Sequence, residues 1–127
     1  MVTVPSGHRL VPLRHPAQFQ RVISDGARMH GRHVLLFVLK SDLDAVRLGV
    51  SASSNVRTNV ARNRLRRLLR EAARREWGVL GRGLDIVLIA KAGAVGGGLD
   101  DIAEDVRQLF SRVASLQPVE GGRGAGC

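Results

Sequence analysis

The apolar and polar positions between residues 16 and 52 predict a short helix followed by two strands. Pro16 suits the first position of a helix and Gly26 suits its end, because proline has no amide hydrogen to satisfy and glycine tolerates the backbone angles of a helix stop. One side of this helix carries Phe19, Val22 and Ile23. Residues 33–39 are apolar except for His33, and residues 46–52 alternate, as half-buried strands do. We predict that these two strands form an antiparallel pair.

The second half of the chain predicts a long helix, a third strand and a last helix. Glycines at positions 78, 81 and 83 separate the long helix, residues 59–77, from the apolar run 84–90. Continuous hydrophobicity over such a run indicates a central strand covered on both faces. Asp100 and Asp101 favour the start of a helix, because carboxylates stabilise the positive end of the helix dipole. The apolar stripe of this helix carries Ile102, Val106, Leu109, Phe110 and Val113.

The long helix has two faces of opposite character when residues are placed about 100° apart. One stripe carries Ala61, Leu65, Leu68, Leu69, Ala72 and Glu76. The opposite side carries Asn59, Asn63, Arg66, Arg67, Arg70 and Arg74, and the stripe is flanked by Arg62, Arg64 and Arg75. A solvated face would explain a run of charge, but such a face normally mixes signs, because like charges four residues apart destabilise a helix. The cationic face therefore favours an anionic partner.

The charge of the whole chain indicates the class of that partner. In 127 residues the formal net charge is +9, and only Lys40 and Lys91 are lysines. Arginine grips phosphate with two parallel hydrogen bonds and stacks on bases, so this composition favours a nucleic acid. A genome rich in arginine codons would produce the same bias, so the excess of arginine over lysine alone does not decide the matter.

No constellation for an enzyme that works alone is visible. The single cysteine, Cys127, excludes an internal disulfide and a cysteine-based zinc site, and it fits a reducing, cytosolic setting. The histidines at positions 8, 15, 30 and 33 lack matching ligands at metal-site spacing. A helix N-terminus explains the clustered acids Asp100, Asp101, Glu104 and Asp105. Since no apolar stretch approaches the roughly 20 residues of a membrane helix, we expect a soluble protein.

A continuous motif connects the second strand to the long helix. Residues 48–71 read LGVSASSNVRTNVARNRLRRLLRE, with Arg62, Asn63 and Arg64 at the centre. This segment resembles the signature of the bacterial ribonuclease P protein, in which an Arg-Asn-Arg triplet opens a basic helix. Arg9 and Leu10 with FQRV at 19–22, and LDIVLIA at 84–90 followed by Lys91, are similar to the family's first helix and final strand. The resemblance covers about residues 9–116 in the correct order.

The resemblance implies an α/β two-layer sandwich of the ribosomal protein S5 domain 2-like class. Its central sheet would be four-stranded and mostly antiparallel, with about three helices and a left-handed βαβ crossover through the basic helix, an exception to the usual hand. One domain would span residues 9–117. By composition, residues 1–8 predict a disordered leader and residues 118–127 a flexible Gly-rich tail.

The resemblance also implies a function. The RNA subunit of ribonuclease P performs the magnesium-dependent hydrolysis that removes the 5′ leader of precursor tRNA, and the protein assists without catalytic residues. The implied partners are ribonuclease P RNA and precursor tRNA, with one protein per RNA and no membrane. Magnesium is expected with the RNA subunit, and no cofactor is expected with the protein alone. The implied location is the cytoplasm.

The site residues are carried over by position. The surface for the catalytic RNA consists of Arg57, Asn59, Arg62, Asn63, Arg64, Arg66, Arg67, Arg70 and Arg74. The cleft for the leader would be lined by Phe19, Ile23 and Phe37. Unpaired bases can stack on the two phenylalanine rings, although a purely structural place in the core explains these rings equally well.

The loop before the basic helix departs from the family's pattern. Relatives usually have two lysines and then a Gly-Asn pair, where this chain has Ser54, Asn55, Arg57 and Thr58. Arg57 replaces part of the missing charge, but the glycine that permits special backbone angles is absent.

Two other kinds of binding protein compete with this interpretation. The alternative function is a structural RNA-binding protein of the ribosomal type without a processing role, and a DNA-binding helix is the other possibility. The ordered match from Arg9 to Lys91 and the aromatic first helix favour the ribonuclease P protein, since a simple basic-helix binder requires neither. A helix that reads DNA usually follows another helix and a short turn, whereas a strand precedes this one.

Overall fold

The computed structural model describes residues 9–81 and 83–116, so the predicted leader and the Gly-rich tail lie outside the described residues. In chain order the elements are β1 Leu10–Pro12, α1 Pro16–Asp25, β2 Ala27–His30, β3 Val34–Lys40, β4 Val46–Ala52, α2 Asn59–Glu76, β5 Leu84–Ala90 and α3 Leu99–Leu116. Short 3-10 turns at Trp77–Val79 and Ala92–Ala94 lie on either side of β5. Within the described ranges, no helix is both long and apolar enough to cross a membrane.

The predicted helices are present where the sequence placed them. Pro16 begins α1 and Gly26 follows its end. A Cβ atom on Gly26 would lie 2.5 Å from the carbonyl oxygen of Val22 and 2.7 Å from that of Val38, so the close approach of β3 requires a glycine here. The start of α2 is fixed by Thr58, whose hydroxyl accepts a hydrogen bond from the Ala61 N–H at 3.1 Å.

The sheet is mixed and has five strands in the order β1-β4-β5-β3-β2. The pairs β1–β4 and β4–β5 are parallel, whereas β5–β3 and β3–β2 are antiparallel. The prediction of a four-stranded, mostly antiparallel sheet is therefore wrong in both respects. The predicted pairing of β3 with β4 is also wrong, because β5 lies between them and hydrogen-bonds to both. The strands β4 and β5 are joined through α2 as a βαβ unit, and the hand of this crossover stays a prediction.

The burial and length of the strands explain which of them the sequence predicted and which it missed. Every residue of β5 except Ile89 is buried, which confirms the prediction of a central strand. The missed strands β1 and β2 have 3 and 4 residues, too few for a periodic pattern to stand out. Pro12 is tolerated in β1 because an edge strand needs hydrogen bonds on one side only.

The helices cover both faces of the sheet, but unequally, so the prediction of a two-layer sandwich is wrong because α1 forms a third layer. Under α2 and α3 lies the larger core, which contains the predicted stripe of α3 and, from α2, Leu65, Leu69, Ala72 and Ala73. On the other face α1 covers a smaller core of Leu13, Val22, Phe37 and Val87. Alternate residues of β3 and β5 belong to the two cores, as the pleat of a strand requires. The cationic side of α2 consequently points away from the sheet.

A buried carboxylate fixes the turn between β2 and β3. Asp105 of α3 is 7% exposed and accepts hydrogen bonds from the backbone N–H groups of Arg32 at 3.0 Å and His33 at 2.8 Å. A Cβ atom on Gly31 would lie 2.6 Å from this carboxylate, and Lys91 Nζ donates to the Gly31 carbonyl at 2.8 Å. Although the position of Asp105 early in α3 suggested a contact with the helix dipole, its carboxylate ties the β2–β3 turn to α3.

Replacing Asp105 with alanine is expected to lower the free energy of unfolding by about 1–3 kcal/mol, because two backbone N–H groups lose a charged acceptor. Equilibrium urea denaturation measures the change. Asp100→Ala removes a fully exposed carboxylate from the same helix and is expected to stay within about 0.5 kcal/mol of the parent. Equal losses in the two variants would contradict the role of Asp105.

Candidate nucleic-acid interface

The outward side of α2 and the loop before it present guanidinium groups that have no partner in the described part of the chain. Arg57, Arg67 and Arg70 are exposed, and none of them makes a hydrogen bond or ion pair with another described residue. Asn59, in the first turn of α2, is exposed as well. An arginine without a protein partner can bind a phosphate with two hydrogen bonds and lose no contact in doing so.

Two further arginines of this side make only local contacts along the helix. Arg66 donates to the side-chain oxygen of Asn63 at 2.7 Å, and Arg74 donates to the carboxylate of Glu71 at 2.8 Å. Both contacts are exposed, and such pairs stabilise a helix by about 0.2–0.5 kcal/mol. A phosphate could therefore replace either of them at little cost.

Arg62 is directed at backbone carbonyl groups of the loop between β4 and α2. Its guanidinium donates to the carbonyl oxygens of Ala52 at 3.1 Å, Ser53 at 2.8 Å and Val56 at 3.2 Å. The side chain is half-buried, and its three hydrogen bonds join the end of β4 and the following loop to the first turn of α2. Arg62 therefore holds the loop against the start of α2.

Arg64 makes a similar contact with the segment that leads into α3. It donates to the carbonyl oxygens of Val95 at 3.2 Å and Gly97 at 2.7 Å. Near the other end of α2, Arg75 lies 3.8 Å from the exposed carboxylate of Asp100. The arginines that flank the apolar stripe thus connect α2 to its neighbours, whereas those on the opposite side face solvent.

The loop between β4 and α2 contains no glycine and is held in place by hydrogen bonds of its own backbone. The Ser53 N–H donates to the Ala90 carbonyl at 2.8 Å, and the Val56 N–H donates to the Ser53 carbonyl at 2.9 Å. The Asn55 N–H donates to Ser53 Oγ at 3.2 Å, and the Val56 side chain is 2% exposed. These contacts hold the loop on the sheet and leave Arg57 exposed beside the start of α2.

The second candidate surface is the face of the sheet that α1 covers in part. The ring of Phe19 lies across Gly49, where a Cβ atom would be 2.7 Å from Phe19 Cε2. Phe37 is 7% exposed and belongs to the smaller core, while Phe19 and Ile23 are only partly buried at its margin. The two rings therefore differ, since Phe37 is a core residue and Phe19 offers part of its surface to solvent.

Three residues that the sequence analysis did not single out share this face. The strand register places exposed Arg28 opposite Phe37, and it places Leu35 opposite Ile89, both of them partly buried. Arg28 was missed because β2 was not predicted. Leu35 could have been found, because it lies two residues before Phe37 and a strand repeats its faces with that period.

A salt bridge between Arg47 and Asp85 also lies on this face. Arg47 donates from Nε and Nη2 to the two carboxylate oxygens of Asp85, at 2.7 and 2.6 Å, and Asp85 is 5% exposed. The hydrogen bond to Asp85 raises the pKa of Arg47 above its usual value. Because each charge neutralises the other, this pair stabilises the sheet and offers no free cation to a ligand. Within the described ranges, no group of at least three His, Cys, Asp or Glu side chains could hold a metal ion.

An exposed cationic helix packed on a mixed sheet indicates a nucleic-acid-binding protein. Comparison with known proteins gives the family. The family model described as Ribonuclease P matches residues 8–114. The ribonuclease P protein component of Lachnoclostridium phytofermentans is 34% identical over 109 residues, which cover 84% of this chain and 94% of that protein. The protein component of Azotobacter vinelandii is 37% identical over 115 residues, 87% of this chain and 86% of that protein. The solved RNase P protein of Thermotoga maritima has a TM-score of 0.71 at 26% identity and covers 80% of this chain and 96% of that one.

The chain belongs to the ribonuclease P protein component family. It is a subunit of an endoribonuclease that acts with an RNA subunit in the 5′ processing of tRNA, as the resemblance predicted. The alternative of a ribosomal-type protein without a processing role is set aside by this membership.

Replacing Arg62 with alanine is expected to destabilise the protein by about 1–3 kcal/mol, because three carbonyl groups lose their charged donor. Arg67→Ala removes an exposed guanidinium from the same helix and is expected to change stability by no more than about 0.5 kcal/mol. Thermal and urea denaturation of both variants measure the difference. If Arg62→Ala is as stable as Arg67→Ala, Arg62 does not hold the loop.

Proposed function

We propose that the outward side of α2, together with Arg57, binds the ribonuclease P RNA, and that the partly covered face under α1 binds the 5′ leader of precursor tRNA. The observation that carries the first half is the set of exposed guanidinium groups at Arg57, Arg67 and Arg70, which lack partners among the described residues. One protein binds one RNA in the cytoplasm, and magnesium enters with the RNA subunit, where the chemistry takes place.

The arginines of this region divide into two groups by their contacts. The docking face, which would meet phosphates directly, consists of Arg57, Asn59, Asn63, Arg66, Arg67, Arg70 and Arg74. Arg62 and Arg64 bind backbone carbonyls, so they act by positioning the loop and the helix that carry the docking face. Each guanidinium of the docking face that binds a phosphate releases counterions from the RNA, which makes the affinity dependent on salt.

Arg67→Gln and Arg70→Gln are each expected to weaken binding of a ribonuclease P RNA by about tenfold at moderate salt, the loss that one charged hydrogen bond produces. Each variant should also reduce the salt slope by about 1 for the phosphate contact that is lost. The melting temperature should hardly change, because both positions are exposed.

Arg112→Gln is the matched control for these two variants. It removes the same charge from an exposed position on α3, outside the docking face. Filter binding over a series of salt concentrations should give a slope close to that of the parent. Equal losses in all three variants would mean that net charge alone governs binding, and the proposal of a defined docking face would fail.

The proposal for the leader rests on apolar surface that α1 leaves uncovered. Phe19, Leu35 and Ile89 are each partly exposed on the same face, and exposed Arg28 lies at its edge. Aromatic and aliphatic surface beside a cation suits unpaired nucleotides, because bases stack on apolar side chains while phosphates meet the charge. A paired region has its bases stacked inside the helix and cannot use this surface in the same way.

Phe19→Leu is expected to weaken holoenzyme binding of a precursor tRNA with a long leader by about fivefold or more, because stacking on an aromatic ring contributes about 1–3 kcal/mol per base. Leucine preserves most of the packing over Gly49, so the protein should stay folded. A precursor with a leader of one nucleotide is the control and should bind the variant and the parent equally. The same loss with both precursors would refute the assignment of the leader to this face.

For the fold itself, we propose that the β4–α2–β5 crossover is left-handed and that the domain is of the ribosomal protein S5 domain 2-like class. The support is the family membership together with the parallel pairing of the neighbouring strands β4 and β5.

A further inference from the structure

We infer that a groove beside the docking face captures one unpaired nucleotide of the RNA subunit, an inference that rests on the proposed docking of α2 to that RNA. The groove lies between the edge strand β1, β4 and the second half of α2, and its volume is about 270 Å³. Its lining consists of Leu10, Val11, Pro12, Leu48, Arg70 and Arg74.

The floor of the groove is aliphatic. Leu10 and Leu48 are partly buried and pack with the larger core, while Pro12 is exposed. Because β1 is the last strand on its side of the sheet, no further strand of the described chain covers this surface. Such a surface can contact the flat face of a nucleobase, which loses little water there because the face of a base has few polar groups.

The wall of the groove is cationic. Arg70 and Arg74 lie one helical turn apart on the same side of α2, and both side chains line the groove. Arg70 has no partner among the described residues, and Arg74 is held by the exposed contact with Glu71 at 2.8 Å. A base on the floor would bring its flanking phosphates to these two arginines, and a guanidinium can also stack on the base itself.

The open edge of β1 adds polar groups of the main chain. The Arg9 carbonyl accepts from the Val46 N–H at 2.8 Å, and the Leu13 N–H donates to the Leu48 carbonyl at 2.9 Å. Because successive residues of a strand alternate in direction, the N–H and carbonyl groups of Leu10 must then point away from the sheet. One donor and one acceptor at the groove can meet the edge of any base, so we expect little preference for one base over another.

The size of the groove selects a single nucleotide over larger ligands. Pockets for drug-sized molecules range from about 300 to 1,000 Å³, and this groove lies just below that range at about 270 Å³. A duplex could not place a base here without opening a pair, whereas bases in single-stranded loops and bulges are free to turn outward. The occupant is therefore an unpaired nucleotide of the same RNA that docks on α2.

Chemical probing of unpaired bases in a ribonuclease P RNA, bound to saturating protein, tests this inference. The parent chain should protect one or two unpaired nucleotides. Pro12→Trp fills the groove from an exposed position and should abolish that protection while weakening affinity by about tenfold. Arg70→Glu, a second variant at an exposed position, should release the same nucleotides even if Pro12→Trp fails to fold. Melting curves establish that each variant tested is folded.

Arg67→Gln is the control for the loss of a docking charge, because it removes one positive charge from α2 outside the groove lining. It should weaken affinity but keep the same nucleotides protected once the protein is saturating. If folded Pro12→Trp and Arg70→Glu protect the same nucleotides as the parent, the groove does not hold a base. The affinity of Arg67→Gln distinguishes failure of the groove inference from failure of the proposed docking of α2. If Arg67→Gln binds the RNA as tightly as the parent does, the proposed docking itself is overturned.

Discussion

The burial of β5 on both faces and both edges is the constraint on which the rest of the structure depends. This strand hydrogen-bonds to β4 on one side and to β3 on the other, and all its residues but Ile89 are buried. A strand in that position needs apolar cover above and below, which α2 and α3 supply on one face and α1 on the other. Since α1 alone covers only part of its face, Leu35 and Ile89 remain partly exposed there.

The same constraint divides α2 into a side that packs on the sheet and a side that is exposed. Its apolar stripe must remain on the sheet, so any interaction with RNA is restricted to the opposite side and the loop before the helix. Arg62 and Arg64 lie between these sides and bind carbonyl groups of adjoining segments, which fixes where the exposed arginines are held. The separation explains how a helix with so many like charges stays folded, because packing of the apolar side against the core offsets the repulsion among the arginines on the other side.

Patterns in the sequence predicted the positions of the helices and longer strands well, but they did not predict which strands pair with each other. Helix bounds followed from Pro16, Gly26 and the spacing of apolar residues, and the central strand followed from its continuous hydrophobicity. The predicted pairing of β3 with β4 was wrong because a short turn between two strands suggests a hairpin. In the structure β5 lies between these two strands. Nothing local to residues 34–52 carries that information, since it depends on a strand more than 30 residues further along the chain.

For the candidate site, the sequence indicated which arginines face outward but not what the others bind. Helical geometry separated Arg66, Arg67, Arg70 and Arg74 from the apolar stripe. The targets of Arg62 are three carbonyl oxygens, which every residue possesses and no sequence pattern marks. Asp105 is similar, because its partners are backbone N–H groups of a turn that is distant in sequence. Interactions between a side chain and the backbone of another element become visible only in the folded structure.

Reconstitution of the enzyme measures most directly whether this two-sided helix serves a catalytic RNA. The purified chain is added to a bacterial ribonuclease P RNA at a magnesium concentration too low for the RNA to act alone, and removal of the leader from a precursor tRNA is followed. Cleavage at the mature 5′ end is expected to be restored by a stoichiometric amount of protein. A folded chain that binds no RNA and gives no stimulation would contradict the central claim.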